Sequence, residues 1–195
     1  MQTKFAGWLV LGLLTGPIAA QAAYLVDTGP PAGTIELSLN SLGVSYQYLG
    51  ATFNVPLGTS LTSVEGWING SGSLRFELRQ GATPNGALLF SSVVGVAAPA
   101  SGWYGATGLD WDVPAGDYTL AVIAQPGFSG GMATAPPNPL GNEWFTNPLA
   151  PNWTMTNFNM GWRVGAIDAT VPEPGTLVLL GLGLASLGLR RRRTA

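Results

Sequence analysis

The carboxylates and tryptophans between residues 23 and 170 are the side chains of this sequence whose types and spacing could support chemistry. The chain of 195 residues contains no histidine and no cysteine. This excludes catalytic triads with a histidine base, cysteine nucleophiles, imidazole or thiolate zinc sites, and thioether attachment of haem. An enzyme built on this sequence would have to work with carboxylates alone.

The closest group of carboxylates is formed by Asp110, Asp112 and Asp117. On a strand, positions 110 and 112 face the same side, about 7 Å apart, so they could bind calcium with backbone carbonyls or act as an acid/base pair. The alternative is structural: the exposed side of a strand whose Trp111 points inward, with Asp117 bonding to nearby N–H groups in a turn. The pattern favours this structural role. Calcium at Asp110 and Asp112 stays a candidate, and no catalytic residue or other cofactor is predicted.

Three tryptophans lie beside glycine, proline or asparagine in turn-like sequence and are candidate carbohydrate-binding residues: Trp103, Trp144 and Trp153. A flat indole face packs well against the C–H groups of a sugar ring. The other three tryptophans of this region lie within strand patterns and are predicted to be core residues: Trp67, Trp111 and Trp162. Core packing is the commoner role for any single tryptophan.

Charge is scarce in this region. Charged residues make up 9% of the whole chain, and residues 23–170 contain only three arginines, Arg75, Arg79 and Arg163, against nine acidic residues. An acidic region with so few cations is unsuited to nucleic-acid binding.

Short runs of alternating residues predict the elements that carry these side chains. In residues 73–80, leucine and phenylalanine alternate with Arg75, Glu77 and Arg79, which predicts one face in the core and the other in water. Residues 117–125 alternate in the same way, and no segment has a 3.6-residue apolar period. Further strands are predicted at residues 44–54, 60–68, 87–96, 103–113 and 157–169. Seven to nine such strands indicate an all-β fold, an antiparallel two-sheet β-sandwich.

Residues 127–151 are rich in proline and glycine and predict a long connecting loop. A connection of this length without secondary structure is usually functional or mobile, so recognition is expected here. The alternative is a loop that covers a sheet edge.

The N-terminus predicts a signal peptide over residues 1–22. Lys4 supplies the positive start, residues 5–14 are apolar, and Ala20 and Ala22 fit the small-residue pattern that signal peptidase requires, with cleavage after Ala22. The alternative is a buried N-terminal helix.

The C-terminus, residues 171–195, combines Pro172, Glu173 and Pro174 with an apolar run over residues 175–189. Such a run forms a helix of about 22 Å, short for a hydrocarbon core of about 30 Å but compatible with a transmembrane helix. The chain then has four basic residues that would anchor the helix on the cytoplasmic side: Arg190, Arg191, Arg192 and Arg193. The two prolines keep the segment before the helix extended, which is the form of a peptide that a protease or transpeptidase needs.

This order of proline-glutamate-proline, short apolar helix and arginine cluster resembles the PEP-CTERM sorting signal of Gram-negative, exopolysaccharide-producing bacteria. The resemblance implies recognition in the inner membrane by an exosortase, a membrane-embedded cysteine protease or transpeptidase that removes the tail. It covers only the last 25 or so residues and implies a route of export. A plain tail anchor that is never cleaved is the alternative.

A second resemblance is to the jelly-roll sandwich domains of bacterial surface proteins, which are similar in architecture to carbohydrate-binding modules. It rests on the strand-and-turn patterns of residues 61–68, 72–79 and 114–120. It implies a jelly-roll-like fold for residues 23–170 and carries over no binding residue.

The expected function is that of a non-catalytic exported protein, held briefly in the inner membrane, processed by an exosortase, and then located at the cell surface or in the extracellular matrix of a biofilm. Weak binding of exopolysaccharide is the sharper expectation. The alternatives are a carboxylate-based glycosidase or lyase acting on extracellular polysaccharide, and a purely structural or adhesive subunit.

Overall fold

The computed structural model describes residues 23–33, 36–40, 47–147 and 149–167, and in this part of the chain it is all β with no helix. No helix of these residues is long and apolar enough to cross a membrane. The predicted signal peptide and C-terminal helix lie outside the described residues. The strands are β1 (Ala23–Asp27), β2 (Glu36–Asn40), β3 (Tyr48–Val55), β4 (Thr59–Gln80), β5 (Leu88–Val113), β6 (Gly116–Ala124), β7 (Ser129–Ala133), β8 (Glu143–Asn147), β9 (Ala150–Thr156) and β10 (Trp162–Ile167).

Two long strands, β4 and β5, organise the sheet. They form one antiparallel hairpin that pairs from Thr59 with Val113 to Arg79 with Leu88. The first half of β4 also pairs with β10, and its second half pairs with β6. The hydrogen-bonded order is therefore β1-β10-β4-β6-β3-β8-β9, with β5 beside β4 and with β7 joining β2 to the middle of β4.

The middle of β4 bends at two glycines. Gly70 and Gly72 have φ angles of 123° and 118°, a region that side chains with a Cβ rarely adopt. Space is also lacking, since a Cβ on Gly72 would lie 2.7 Å from the Cα of Phe128. Glycine at these positions lets the strand change direction without leaving the sheet.

The bend folds the sheet over a single hydrophobic core. Phe90 and Trp111 lie 21 positions apart on β5, about 70 Å in a straight strand, yet their rings stack with centroids 5.4 Å apart. The two halves of the hairpin therefore face each other. The core between them contains the fully buried Phe76, Leu120 and Trp162.

The all-β antiparallel prediction is confirmed, while the division into two separate sheets is not, because β4 and β5 run continuously through both halves. The predicted strands at 60–68 and 73–80 are one strand, and so are those at 87–96 and 103–113. The prediction of a long loop over residues 127–151 is wrong, since β7, β8 and the start of β9 lie there.

Candidate functional site

One outer side of the sheet, across the second half of β4 and then β6, β3, β8 and β9, brings together two of the three candidate tryptophans. Residues directly opposite each other in antiparallel strands point to the same side. Glu77 pairs with Ala121, Ala121 with Gly50, and Gly50 with Trp144. We call this side the arginine face; its members are Arg75, Glu77, Arg79, Ala121, Gly50, Trp144 and Trp153.

At one end of the arginine face a single buried carboxylate binds two arginines. The Glu77 side chain is only 2% exposed, with Oε1 lying 2.7 Å from Arg75 Nη2 and Oε2 lying 2.6 Å from Arg79 Nη2. Arg79 also donates Nε–H to Glu77 and Nη1–H to the carbonyl of Gly86. The expectation that this face is simply open to water is therefore wrong at Glu77, which the two arginines cover.

Arg75 has donors left over. Its ion pair with Glu77 uses Nη2, while its Nε is buried and has no hydrogen-bond partner among the described residues. A guanidinium carries five N–H donors in a fixed fork, and a buried donor without an acceptor is unfavourable by about 1–3 kcal/mol. The side chain as a whole is 39% exposed, so Arg75 stays accessible from solvent.

Trp144 and Trp153 supply the aromatic end of the arginine face. Trp144 pairs with Met155 of β9, and alternation along β9 places Trp153, two positions from Met155 and next to a register shift in this pair, on the same side. Both indoles are half-buried. The Trp144 Nε1–H donates to the Thr52 hydroxyl at 3.0 Å, which fixes the position of the indole above β3.

The third candidate, Trp103, lies elsewhere, in what we call the tyrosine–arginine cluster of Tyr24, Arg163, Trp103 and Trp67. The Cζ of Arg163 lies 4.1 Å from the ring centroid of Trp103 and 4.9 Å from that of Tyr24. Trp67 meets Trp103 edge-on, with centroids 5.1 Å apart. One face of Trp103 is therefore covered by a cation. Trp67, predicted as a core residue, is instead half-buried in this cluster, whereas Trp111 and Trp162 are buried as predicted.

Two acidic residues share the single arginine of this cluster. Burial raises the pKa of Asp27, but hydrogen bonds from Arg163 and the Gly29 N–H, with the charge of Arg163, outweigh it and hold that pKa below its usual value. Glu65 lies opposite Arg163 on the neighbouring strand. Burial raises the pKa of Glu65, Arg163 partly opposes this, and the negative charge of Asp27 adds to it.

Asp110 and Asp112 are both exposed on β5, with Trp111 buried between them. Asp110 accepts a hydrogen bond from the Ser60 hydroxyl at 3.0 Å, and Asp117 accepts one from the Asn54 amide at 2.7 Å. Within the described ranges, no group of three or more His, Cys, Asp or Glu side chains could hold a metal ion. The calcium site stays a prediction.

The sequence pattern gave no reason to single out Glu143, which lies in the segment predicted as a loop. Its side chain is fully buried on the core side of β8, and burial raises its pKa to about 8, although the Met160 N–H donates to both carboxylate oxygens. The Trp162 indole N–H also favours the charged form, but that N–H does not reach hydrogen-bond geometry with any described acceptor. An acidic residue enclosed in this way is not available to a ligand.

The remaining predicted site residues lie in the two terminal segments, outside the described residues. They are Ala20, Ala22, Pro172, Glu173, Pro174, Arg190, Arg191, Arg192 and Arg193. The comparison with protein families bears on the C-terminal group. No curated protein and no solved structure matches the chain. The family model for the PEP-CTERM protein-sorting motif matches residues 170–193, so the chain carries a PEP-CTERM sorting signal, the mark of an exported protein that an exosortase processes.

Proposed function

We propose that the mature protein is a non-catalytic component of the cell surface or extracellular matrix that binds polysaccharide weakly through the arginine face. After signal peptidase has removed residues 1–22, the C-terminal helix holds the chain briefly in the inner membrane. The exosortase then cleaves near Pro172 to Pro174, and the β-body is released or attached.

The observation that carries the binding proposal is the common orientation of Trp144 and Trp153. These two tryptophans come from different strands, β8 and β9, and point to the same outer side of the sheet. Two half-exposed indoles on one rigid surface can pack against successive sugar rings. The buried Thr52 hydroxyl, which also bonds to the Ala82 carbonyl and the Thr119 hydroxyl, holds the Trp144 indole in place.

The distribution of carboxylates supports a non-catalytic role over a glycosidase or lyase. Such enzymes place two carboxyl groups on either side of the bond that is cleaved. Glu77 is engaged by two arginines, Glu143 is enclosed in the core, and Asp110 is bonded to Ser60. These three carboxylates therefore do not form an accessible acid/base pair next to Trp144.

Export and processing are tested by mass spectrometry of the mature protein from a host that supplies an exosortase. We expect an N-terminus at Ala23 and a new C-terminus near residues 172–175. A mature protein that keeps Arg193 in most molecules would contradict processing and favour a plain tail anchor.

Polysaccharide binding is tested by affinity electrophoresis of the exported chain in gels containing soluble polysaccharides. We expect retardation that is lost in the double variant Trp144→Ala/Trp153→Ala. The matched control is Trp103→Ala, which removes a half-buried tryptophan from the tyrosine–arginine cluster. This variant should leave the retardation unchanged. If the wild-type chain is not retarded by any polysaccharide tested, the structural or adhesive subunit becomes the better explanation.

A further inference from the structure

We propose that the arginine face selects polysaccharides that carry carboxylate groups, and that Arg75 is the residue that contacts the carboxylate. This inference rests on the polysaccharide binding proposed above and adds the class of ligand. It starts from an imbalance of charge, because Glu77 is the one carboxylate between two guanidinium groups.

The donors of the two arginines are used to different extents. Arg79 donates three hydrogen bonds: Nε and Nη2 bond to Glu77, and Nη1 bonds to the Gly86 carbonyl. Arg75 uses Nη2 for Glu77, and its buried Nε has no acceptor among the described residues. Together the three side chains have a net charge of +1, and Arg75 has both the larger number of unused donors and the more exposed side chain, 39% against 26% for Arg79.

A carboxylate is the acceptor that fits these donors. The guanidinium fork matches the two oxygens of a carboxylate, and charge-assisted hydrogen bonds of this kind are stronger than neutral ones. Because the Arg75 side chain is 39% exposed, a carboxylate arriving from solvent can reach its guanidinium group. The neighbouring Val93, directly opposite Arg75 and 61% exposed, offers apolar surface for the ring that bears the carboxylate.

The distances on the arginine face suit a polymer. Three inter-strand steps separate β4 from β8, so Trp144 and Arg75 lie about 14 Å apart across the strands. A short run of sugar rings can therefore pack on Trp144 while a more distant ring presents its carboxylate to Arg75.

Competing charges are distant or already paired. Asp117 lies on the same side of β6 but six positions from Ile123, the residue opposite Arg75, which is about 20 Å along the strand. The third arginine of the described residues, Arg163, is bound to Asp27 and covers Trp103. Arg75 is thus the most exposed of the three described arginines, with 39% of its side chain accessible against 26% for Arg79 and 22% for Arg163.

The experiment compares two forms of one polymer, polygalacturonate and its fully methyl-esterified form, which share a backbone and differ in charge. Binding of the exported chain is measured by affinity electrophoresis or calorimetry at low and moderate salt. We expect the wild-type chain to bind the acid form roughly 10-fold more tightly, as one charge-assisted contact implies. The preference should shrink as salt is added.

Two variants separate binding from structural support. Arg75→Gln should bring the affinity for polygalacturonate down to that for the ester, whereas Arg79→Gln, which breaks an ion pair with the same Glu77, should keep the preference. Arg75→Lys retains the positive charge but not the Nε–H, and should lose most of the preference. Thermal unfolding of each variant checks that it is folded.

The outcomes distinguish the two proposals. If neither polymer binds although another polysaccharide does, the preference for carboxylate polymers is overturned; if no polysaccharide binds, or if Trp144→Ala/Trp153→Ala binds as well as the wild-type chain, the proposed function fails. If both polymers bind equally, if Arg79→Gln loses the preference as Arg75→Gln does, or if Arg75→Lys keeps it in full, the assignment to Arg75 is overturned while polysaccharide binding stands.

Discussion

The arginine face and the tyrosine–arginine cluster are built from the same kinds of residue but in opposite proportions. On the arginine face two arginines share one carboxylate, Glu77. In the tyrosine–arginine cluster one arginine, Arg163, serves two acidic residues, Asp27 and Glu65. The arginine face therefore has more cationic than anionic side chains, and the tyrosine–arginine cluster has more anionic than cationic ones.

The two regions also differ in whether an arginine contacts a tryptophan ring. Arg163 lies over the Trp103 ring at 4.1 Å, so the cluster uses its own cation on its own aromatic surface. Arg75 and Arg79 instead form ion pairs with Glu77 on β4, three inter-strand steps from Trp144 on β8.

The largest effect is expected at Glu143, an enclosed carboxylate with no arginine partner among the described residues. Burial raises its folded-state pKa from 4.5 to about 8, so between these values the folded chain keeps a proton that the unfolded chain has released. The free energy of unfolding should therefore fall as pH rises from about 4.5 to about 8, by at most about 5 kcal/mol. Urea titrations at a series of pH values measure this decline.

The variant Glu143→Gln should remove most of that decline, because the neutral amide has no proton to lose. Glu65→Gln is the matched control: burial raises the pKa of Glu65 in the same direction, but Arg163 opposes it, so the change should be smaller. A pH dependence that is unaltered in Glu143→Gln would contradict the role of this side chain.

The next effect is the loss of the shared carboxylate on the arginine face. Glu77→Ala leaves two arginines side by side with no anion, and removing one partner of a buried ion pair is strongly destabilising. Since the arginine side chains are 39% and 26% exposed, solvent reduces the cost, and we expect a loss of about 2–3 kcal/mol.

The comparison variant for Glu77→Ala is Asp27→Ala in the tyrosine–arginine cluster. Asp27 is 35% exposed and Arg163 keeps Glu65 as a partner, so the loss should stay under about 1 kcal/mol. Equal losses from the two variants, measured by urea unfolding, would remove the distinction between the two regions.

A smaller effect is expected when the cation is taken from the tyrosine–arginine cluster. Arg163→Gln removes the contacts with the rings of Tyr24 and Trp103, which at partly exposed sites are worth about 0.5–1 kcal/mol. Trp103 should become easier to reach, which acrylamide quenching of tryptophan fluorescence measures against a Trp103→Phe/Arg163→Gln background. No gain in quenching would show that Arg163 does not cover this ring.

The smallest effect concerns Asp110 and Asp112, exposed carboxylates that have no arginine partner in the described part of the chain. If they bind calcium, the affinity should be in the weak range of extracellular sites, so 1 mM calcium should raise Tm by about 1–2 °C. The shift should disappear in Asp110→Asn/Asp112→Asn. A shift that survives this double substitution would place the ion elsewhere.

Alternation of apolar and polar side chains predicted those strands that have one face in the core and the other face outside it. Residues 73–80 and 117–125 coincide closely with the second half of β4 and with β6. The predicted break between residues 68 and 73 is wrong, because Gly70 and Gly72 bend β4 and do not end it. Composition alone does not distinguish a glycine that terminates a strand from one that turns it.

The segment predicted as a loop contains β7, a strand whose side chains give little indication of strand structure. In β7, Gly130 pairs with both Leu39 and Gly70, and a Cβ on it would lie 2.8 Å from the Cα of Gly70. Its place in the sheet depends on backbone partners distant in sequence. The arginine face was beyond prediction for a related reason, since strand order decides that Trp144 and Trp153 share a side with Arg75.

The position of β10 has a consequence for the order in which the chain can fold. β1 is the first described strand to be synthesised, and its partner among the described strands is β10, the last. β10 in turn fills the place beside the first half of β4. Contacts between such distant parts of a sequence form slowly. The sheet can therefore close at this edge only when residues 162–167, which come shortly before the sorting motif in the sequence, are available to pair with β1 and β4.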